Sequence, residues 1–277
     1  MLEVVGLYCY PIKSCGQVVL KSSELTPMGL QHDRQWMLVD DQGVFISQRS
    51  LPKMGLISID LNPESGALSL SANGMPELSI KPEQVAGQTT VTIWNDQLIA
   101  DVAEAPINDW FSQFLGTECR LVRYGDTSQR RIDPAYAQSE ESVAFADGFP
   151  LLVTHVTTLD LLNQQLIEQD HDAVTMQRFR PNIVLKGDLL AQDEYQWKSL
   201  KNEALMIDLV KPCSRCLVTN LDPKTATKTG NTVLATLAKK HRLNDKAIFG
   251  INGISHQTAT LALGDHLEVA YQESTKT

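Results

Sequence analysis

Cysteine is scarce. Five residues in 277, at Cys9, Cys15, Cys119, Cys213 and Cys216, form an odd set that does not read as a disulfide framework. No apolar run approaches the ~18 residues of a membrane span. No secretory signal opens the chain: its first basic residue, Lys13, follows the apolar stretch instead of preceding it. Nor does the start resemble an Arg- and Ser-rich transit sequence. Together these absences point to a reducing, cytoplasmic setting with no membrane partner. Basic charge is also in deficit. Lys and Arg total 24 against 33 Asp and Glu, a net charge of −9. That argues against nucleic acid and anionic membrane as partners, since both need a basic face. It leaves room for a small anion held in a local basic pocket.

Familiar catalytic signatures are missing too. The chain has no Gly-x-Ser-x-Gly, His-Glu-x-x-His, Walker loop or Gly-x-Gly-x-x-Gly. Its six histidines are scattered with no ligand spacing, and no internal repeat or low-complexity tract is present. With 43% hydrophobic residues, a chain this long buries a core without needing staples.

What is present first reads as β-structure. Val4 to Tyr10, Gln17 to Leu20, Ile57 to Leu61 and Leu68 to Leu70 have strand character. Gln35 to Val39 and Val44 to Ser47 flank a Gly-containing turn, which predicts a hairpin. Thr89 to Ile99 predicts strands around Asn95-Asp96. Helices are predicted over Pro106–Leu115, Thr158–Glu168 and Thr232–His241. Arg120 to Val122, Ile183 to Leu185 and Leu205 to Val210 read as strands, and Asp126 to Ser142 as loop. Ala259–Leu263 and Leu267–Tyr271 predict a closing hairpin across Gly264-Asp265. The fold class expected is β-rich α+β, with a soft boundary near residue 120.

Three segments hold candidate chemistry. In Lys211-Pro-Cys-Ser-Arg-Cys216, the Cys-x-x-Cys lacks the further ligands of a zinc or iron–sulfur site. A thioredoxin-type pair should open a helix, whereas the surroundings here read as strands. A single thiolate remains, favoured by Arg215 and Lys211, able to bind a cofactor's metal or to act as a nucleophile. Arg178-Phe-Arg180-Pro places two arginines at i and i+2, on one side of a chain read as extended, with Pro181 keeping Arg180 out of helix. Arginines so placed suit bidentate capture of phosphate. Pro11-Ile-Lys13-Ser14-Cys-Gly16 is a tight turn fit for an anion contact. Asp33-Arg34 and the turn at Asp147-Gly148 add further groups.

Read in order, the segments are Pro11-Ile-Lys-Ser-Cys15, His32-Asp-Arg-Gln-Trp36, Phe145-Ala-Asp-Gly-Phe-Pro150, Arg178-Phe-Arg-Pro-Asn182, Cys213-Ser-Arg-Cys216 with Asp222-Pro223, and Phe249-Gly-Ile-Asn252. This combination resembles the MOSC-domain proteins, specifically the branch of YcbX-like proteins and mitochondrial amidoxime-reducing components. The resemblance spans nearly the whole chain. It implies a MOSC N-terminal β-barrel domain over residues 1–120, whose early strands also reach the cofactor site, and a MOSC β-barrel domain over 121–272. It implies a molybdenum cofactor (molybdopterin holding the metal) and a molybdenum-dependent reduction of N-hydroxylated substrates such as amidoximes, hydroxylamines and N-hydroxylated bases. Carried over by motif, Cys216 is the molybdenum ligand and the catalytic residue. Lys13, Ser14, Arg34, Arg180 and Asn182 bind the pterin and its phosphate. Ser214 and Arg215 belong to the loop that holds the cofactor, and Asp147, Gly148 and Asn252 add contacts. Many YcbX-like proteins carry a ferredoxin domain; with no cysteine after Cys216, no iron–sulfur cluster is expected here. Electrons would then come from a separate ferredoxin-, flavoprotein- or cytochrome-type carrier. MOSC domains also occur in cofactor sulfurases, so the alternative is a non-redox carrier of cofactor or sulfur.

Overall fold

The computed structural model describes residues 1–137 and 141–272. The expected loop over 126–142 is irregular where described, and its residues 138–140 lie outside the described residues. The fold is β-rich. Seven strands close a barrel in the order Leu151–His155, Ile183–Lys186, Leu2–Cys9, His266–Tyr271, Trp197–Lys201, Met206–Ser214 and Lys246–Ser255, the last pairing back with the first. All neighbours are antiparallel except Leu151–His155 and Ile183–Lys186, which run parallel. A parallel pair needs a crossover, and the helix Val156–Ile167 supplies it. Inward positions alternate as the pleat requires: Leu2 and Val4 are buried while Glu3 and Val5 face out. Leu7, Val153, Ile183, Trp197, Leu200, Ile207, Ile251 and Leu267 fill the interior.

A second β unit holds a four-stranded sheet (Trp36–Val39, Arg120–Arg123, Asp96–Ala103, Val85–Ile93) and a three-stranded one (Ser58–Leu61, Leu68–Ser71, Leu78–Ile80). The helix Ala105–Leu115 starts with Pro106 in its first turn and ends at Gly116 with φ 73°. Its Trp110, Phe111 and Phe114 bury against Leu38, Ile59, Leu70 and Ile80. The first thirty residues are divided between the two units: Ile12 and Cys15 join this core. Leu2–Cys9 is a barrel strand, and Ser22–Thr26 pairs with Ala259–Ala262.

That last pairing corrects the expected closing hairpin. A turn does form, with Asp265 N–H donating to Ala262 O, but the two strands diverge. Ala259–Ala262 pairs with Ser22–Thr26, while His266–Tyr271 joins Leu2–Cys9 and Trp197–Lys201. Similarly, Val44–Ser47 is tied to its neighbours only by isolated bridges from Val44 and Phe45. The strands Leu151–His155, Trp197–Lys201 and Lys246–Ser255 were not expected from the sequence.

Candidate functional site

A cleft of about 270 Å³ lies where the two β units meet, and all eleven predicted site residues line it, Asp147 at its rim. Lys13, Ser14 and Arg34 come from the N-terminal segment, and Asp147 and Gly148 from the loop before the first barrel strand. Arg180 and Asn182 precede Ile183–Lys186, Ser214, Arg215 and Cys216 end Met206–Ser214, and Asn252 lies on Lys246–Ser255.

The Lys13 turn is clamped to the adjoining strand. Lys13 N–H donates to Trp36 O, Trp36 N–H to Pro11 O, and Cys15 N–H to Ile12 O. Gly16 then passes so close to Ile57 O that a Cβ there would sit 2.4 Å from it, which is why the turn ends in glycine. The Lys13 ammonium is buried. It donates to Phe145 O at 2.8 Å and pairs with the Asp147 carboxylate. Burial lowers the Lys13 pKa, and Asp147 works against that shift. At Asp147, enclosure in the cleft works to raise the carboxyl's pKa, but Lys13, Arg34 and Arg49 outweigh it and hold the group well below the usual carboxylate range.

Arg34 donates to the Asp33 carboxylate, to Asn182 Oδ1 at 2.9 Å and to Arg180 O at 3.1 Å. Its guanidinium carbon lies 4.4 Å from the centre of the Tyr10 ring, and that of Arg180 lies 4.2 Å from the same ring. Arg180 donates one Nη to Cys15 O at 2.8 Å, while its other Nη is buried without a partner. Ser14, Arg34 and Arg180 all have positive φ (69°, 46° and 54°), a region that non-glycine residues rarely occupy. Such outliers cluster where function constrains the backbone.

The two arginines of the 178–182 segment do not share a side, because the segment is not extended. Met176–Phe179 is a turn of 3-10 helix, and Arg180 follows in the left-handed conformation, so the side chains diverge. Arg178 is buried and donates to Leu221 O at 2.9 Å and Thr229 Oγ1 at 3.2 Å, bracing the chain beyond Cys216. Only Arg180 faces the cleft. Pro181 still keeps Arg180 out of right-handed helix. Asn182 also differs from expectation. Its Oδ1 accepts from Leu152 N–H and Arg34, and its Nδ2 donates to Tyr8 O. It is 1% exposed and orients Arg34 instead of offering a free amide. Asn252 likewise donates to Lys211 O at 3.0 Å.

Of the five thiols, Cys9, Cys15 and Cys119 are buried. Burial raises the pKa of all three, that of Cys15 to about 12, so they are poor thiolates. Cys216 is exposed at the cleft, and Cys213 is half-buried. The Cys213 sulfur accepts a hydrogen bond from Arg215 at 3.1 Å, and Arg215 also donates to Phe179 O at 2.7 Å. The Arg215 Nε is buried without a partner. Backbone pairing continues to Arg215 N–H, which donates to Ala247 O, and Cys216 is itself extended. The two thiols are not bonded to each other. Phe179 and Phe249, apolar members of two of the segments quoted above, stack at 3.7 Å beneath Arg215.

Two residues that shape the cleft carried no sequence signal. Arg130 is buried and grips the Asp147 loop, donating to Ala144 O, Ala146 O and Asp147 O, with Asp96 as its counter-ion. Arg49 lines the cleft mouth. Among the described residues, the basic side chains of the cleft are thus Lys13, Arg34, Arg49, Arg180, Lys211 and Arg215, against the single carboxylate of Asp147. In a chain of net charge −9, this is a concentrated positive site. Among the described residues no three metal-ligating side chains converge. A metal held by Cys216 would have to bring most of its ligands with it. The cations, the two unpartnered guanidinium nitrogens and one accessible thiol therefore fit an anionic, metal-bearing cofactor.

Comparison with known proteins agrees. Residues 1–118 match the MOSC N-terminal beta barrel domain and residues 140–268 the MOSC domain. The human mitochondrial amidoxime reducing component 2 is 31% identical over 283 residues, covering 95% of this chain and 82% of that protein. The mouse mitochondrial amidoxime-reducing component 1 is 29% identical, covering 95% and 80%. The molybdenum cofactor sulfurase of Arabidopsis thaliana is 29% identical over 87% of this chain, which spans only 31% of that longer protein. The chain belongs to the MOSC-domain family built on an N-terminal MOSC β-barrel, the group of the mitochondrial amidoxime-reducing components and YcbX-like proteins.

Proposed function

We propose that this protein binds a molybdenum cofactor in the cleft and uses it to reduce N-hydroxylated substrates, taking electrons from a separate carrier protein. The observation that carries this reading is the pairing of one exposed thiol, Cys216, with a cation-rich wall holding unpartnered guanidinium nitrogens. Lys13, Ser14, Arg34 and Arg180 would hold the anionic end of the pterin by charge-assisted hydrogen bonds. Asn182 keeps Arg34 aimed, and Arg130 keeps the Asp147-Gly148 loop against Lys13. Ser214, Arg215 and Asn252 would contact the ring system, and Cys216 would ligate the metal through its thiolate. When bound, the cofactor supplies two-electron oxygen-atom chemistry at N–OH; the chain supplies orientation and electrostatics.

The test is protein made in a cofactor-competent host, assayed for molybdenum, pterin and benzamidoxime reduction with an artificial one-electron donor. About one metal per chain with turnover supports the reading. Protein that lacks metal and cannot be loaded in vitro refutes it. The sulfurase likeness over most of this chain gives the carrier reading its footing. Metal and pterin that exchange freely without turnover would favour that reading.

A further inference from the structure

The mouth of the cleft holds a cation outside the family segments. Arg49 is exposed and lines the cleft beside Phe45, Ser47 and Gln48. Its guanidinium carbon lies 4.3 Å from the centre of the Trp94 ring. A ring under a guanidinium fixes its plane and leaves its N–H edge free to donate.

The platform itself is unusual. Trp94 and Asn95 form the two-residue link between paired Ile93 and Asp96. Trp94 has φ 56°. Hairpin links of this length favour glycine or asparagine where φ is positive. A bulky residue there is a strained outlier, kept only when its surroundings require it. Here Phe45 packs against the indole at 4.8 Å, and the Lys13 ammonium lies 6.0 Å from it. The indole therefore joins Arg49 to the Lys13 corner of the cleft.

We infer that Arg49, carried on Trp94, is a further anion contact of the cleft, presenting its fork to a phosphate or carboxylate that also meets Lys13. The inference rests on reading the cleft as an anion cradle, as proposed above. The same chemistry serves two sources: the phosphate of a bound pterin, or an acidic substituent on the substrate. Asp147 already fills the anionic role in this corner, paired with the Lys13 ammonium. An incoming anion must share the corner with it.

The probe is inorganic phosphate, titrated calorimetrically into the cofactor-free full-length chain at low salt and near-neutral pH. Arg49→Gln is exposed and should fold; it should weaken phosphate binding about tenfold, as expected for loss of one charge-assisted contact. Trp94→Leu should weaken it about threefold through loss of the platform, and Trp94→Phe should restore most of it. A merely structural role for Trp94 would not give that rescue. Equal binding by wild type and Arg49→Gln overturns the inference and leaves the cofactor reading standing. Failure of the wild type to bind phosphate at all overturns the inference, while the cofactor reading is decided by the molybdenum and pterin assay above. In protein from a cofactor-competent host, a fall in the molybdenum and pterin content of Arg49→Gln assigns the anion to the cofactor. Unchanged content, with a raised KM for carboxylated but not plain benzamidoxime, assigns it to the substrate. If neither moves, the inference is wrong.

Discussion

Glu194 is fully buried in the short 3-10 turn Asp193–Gln196 that leads into the barrel strand Trp197–Lys201. One carboxyl oxygen accepts from Thr158 Oγ1 at 2.7 Å, and the other has no partner. Burial outweighs the Thr158 hydrogen bond and pushes the carboxyl up to about 7. The folded state therefore holds this proton more tightly than the unfolded chain does. Its contribution to stability is fully present below the unfolded pKa near ~4.3 and is lost as pH rises through about 7. At ~1.36 kcal/mol per pKa unit, the loss between about pH 4 and pH 8 is on the order of 3 kcal/mol. Glu194→Gln keeps the shape and the Thr158 contact but removes the titration. Urea unfolding at steps from about pH 5 to pH 8 should show wild type losing about 2–3 kcal/mol relative to the variant, at constant m-value. Parallel wild-type and variant curves across that range would refute the argument, since they would mean Glu194 is hydrated or ionised in the fold.

His241 offers the opposite slope. Burial lowers its imidazole to about 4, so the fold carries it neutral, and stability should fall as pH drops from about 6.5 towards 4; His241→Gln should flatten that acid limb in the same urea series. Cys216→Ala should abolish N-hydroxy reduction and remove one sulfur neighbour from the metal's X-ray absorption signature, while Cys213→Ala keeps that sulfur. Because Arg215 donates to the Cys213 sulfur, the Cys213 variant should still loosen Arg215 and lower cofactor retention about twofold to fivefold, read as pterin content after dialysis. Arg180→Lys should lower cofactor content because the planar fork is lost. Arg178→Lys should instead leave content unchanged and cost about 1–3 kcal/mol in urea unfolding, since Arg178 braces the chain around 219–229.

The sequence exposes those parts of the fold whose periodicity is regular. The helix Ala105–Leu115 shows Pro at one end, glycine just past the other and an aromatic face between. The strand Lys246–Ser255 is the longest in the chain and stayed hidden because Gly250 and Gly253 interrupt its apolar pattern. Gly250 has φ 77°, and a Cβ there would lie 2.8 Å from Val153 O. The glycine that hides the strand is thus what lets it close the barrel against Leu151–His155. Gly250→Ala should therefore cost more than the ~1 kcal/mol typical of a strand glycine, read by urea unfolding. Leu151–His155 was missed for another reason. It is buried throughout and gives no alternation to read.

At the site, the order of the segments is visible in the sequence, but the direction of their side chains is not. Arg178 and Arg180 look equivalent at i and i+2. A single left-handed residue separates their fates, sending one to the cleft and the other to brace the loop after Cys216. Arginine carries no propensity for that conformation, so no local rule announces it. The same holds for Ser14 and Arg34. Each is fixed by long-range bonds: Arg34 N–H donates to Tyr10 O and Arg34 O accepts from Phe145 N–H, while Ser14 O accepts from Gln48 Nε2. Positive φ at three cleft residues is thus a property of the assembled barrel. Stability alone would favour glycine or asparagine at these positions, whereas the serine and arginines found there bring a hydroxyl and guanidinium groups to the cleft. By the same reasoning Trp94, strained at the rim, belongs with these residues and not with the ordinary turns of the N-terminal sheet.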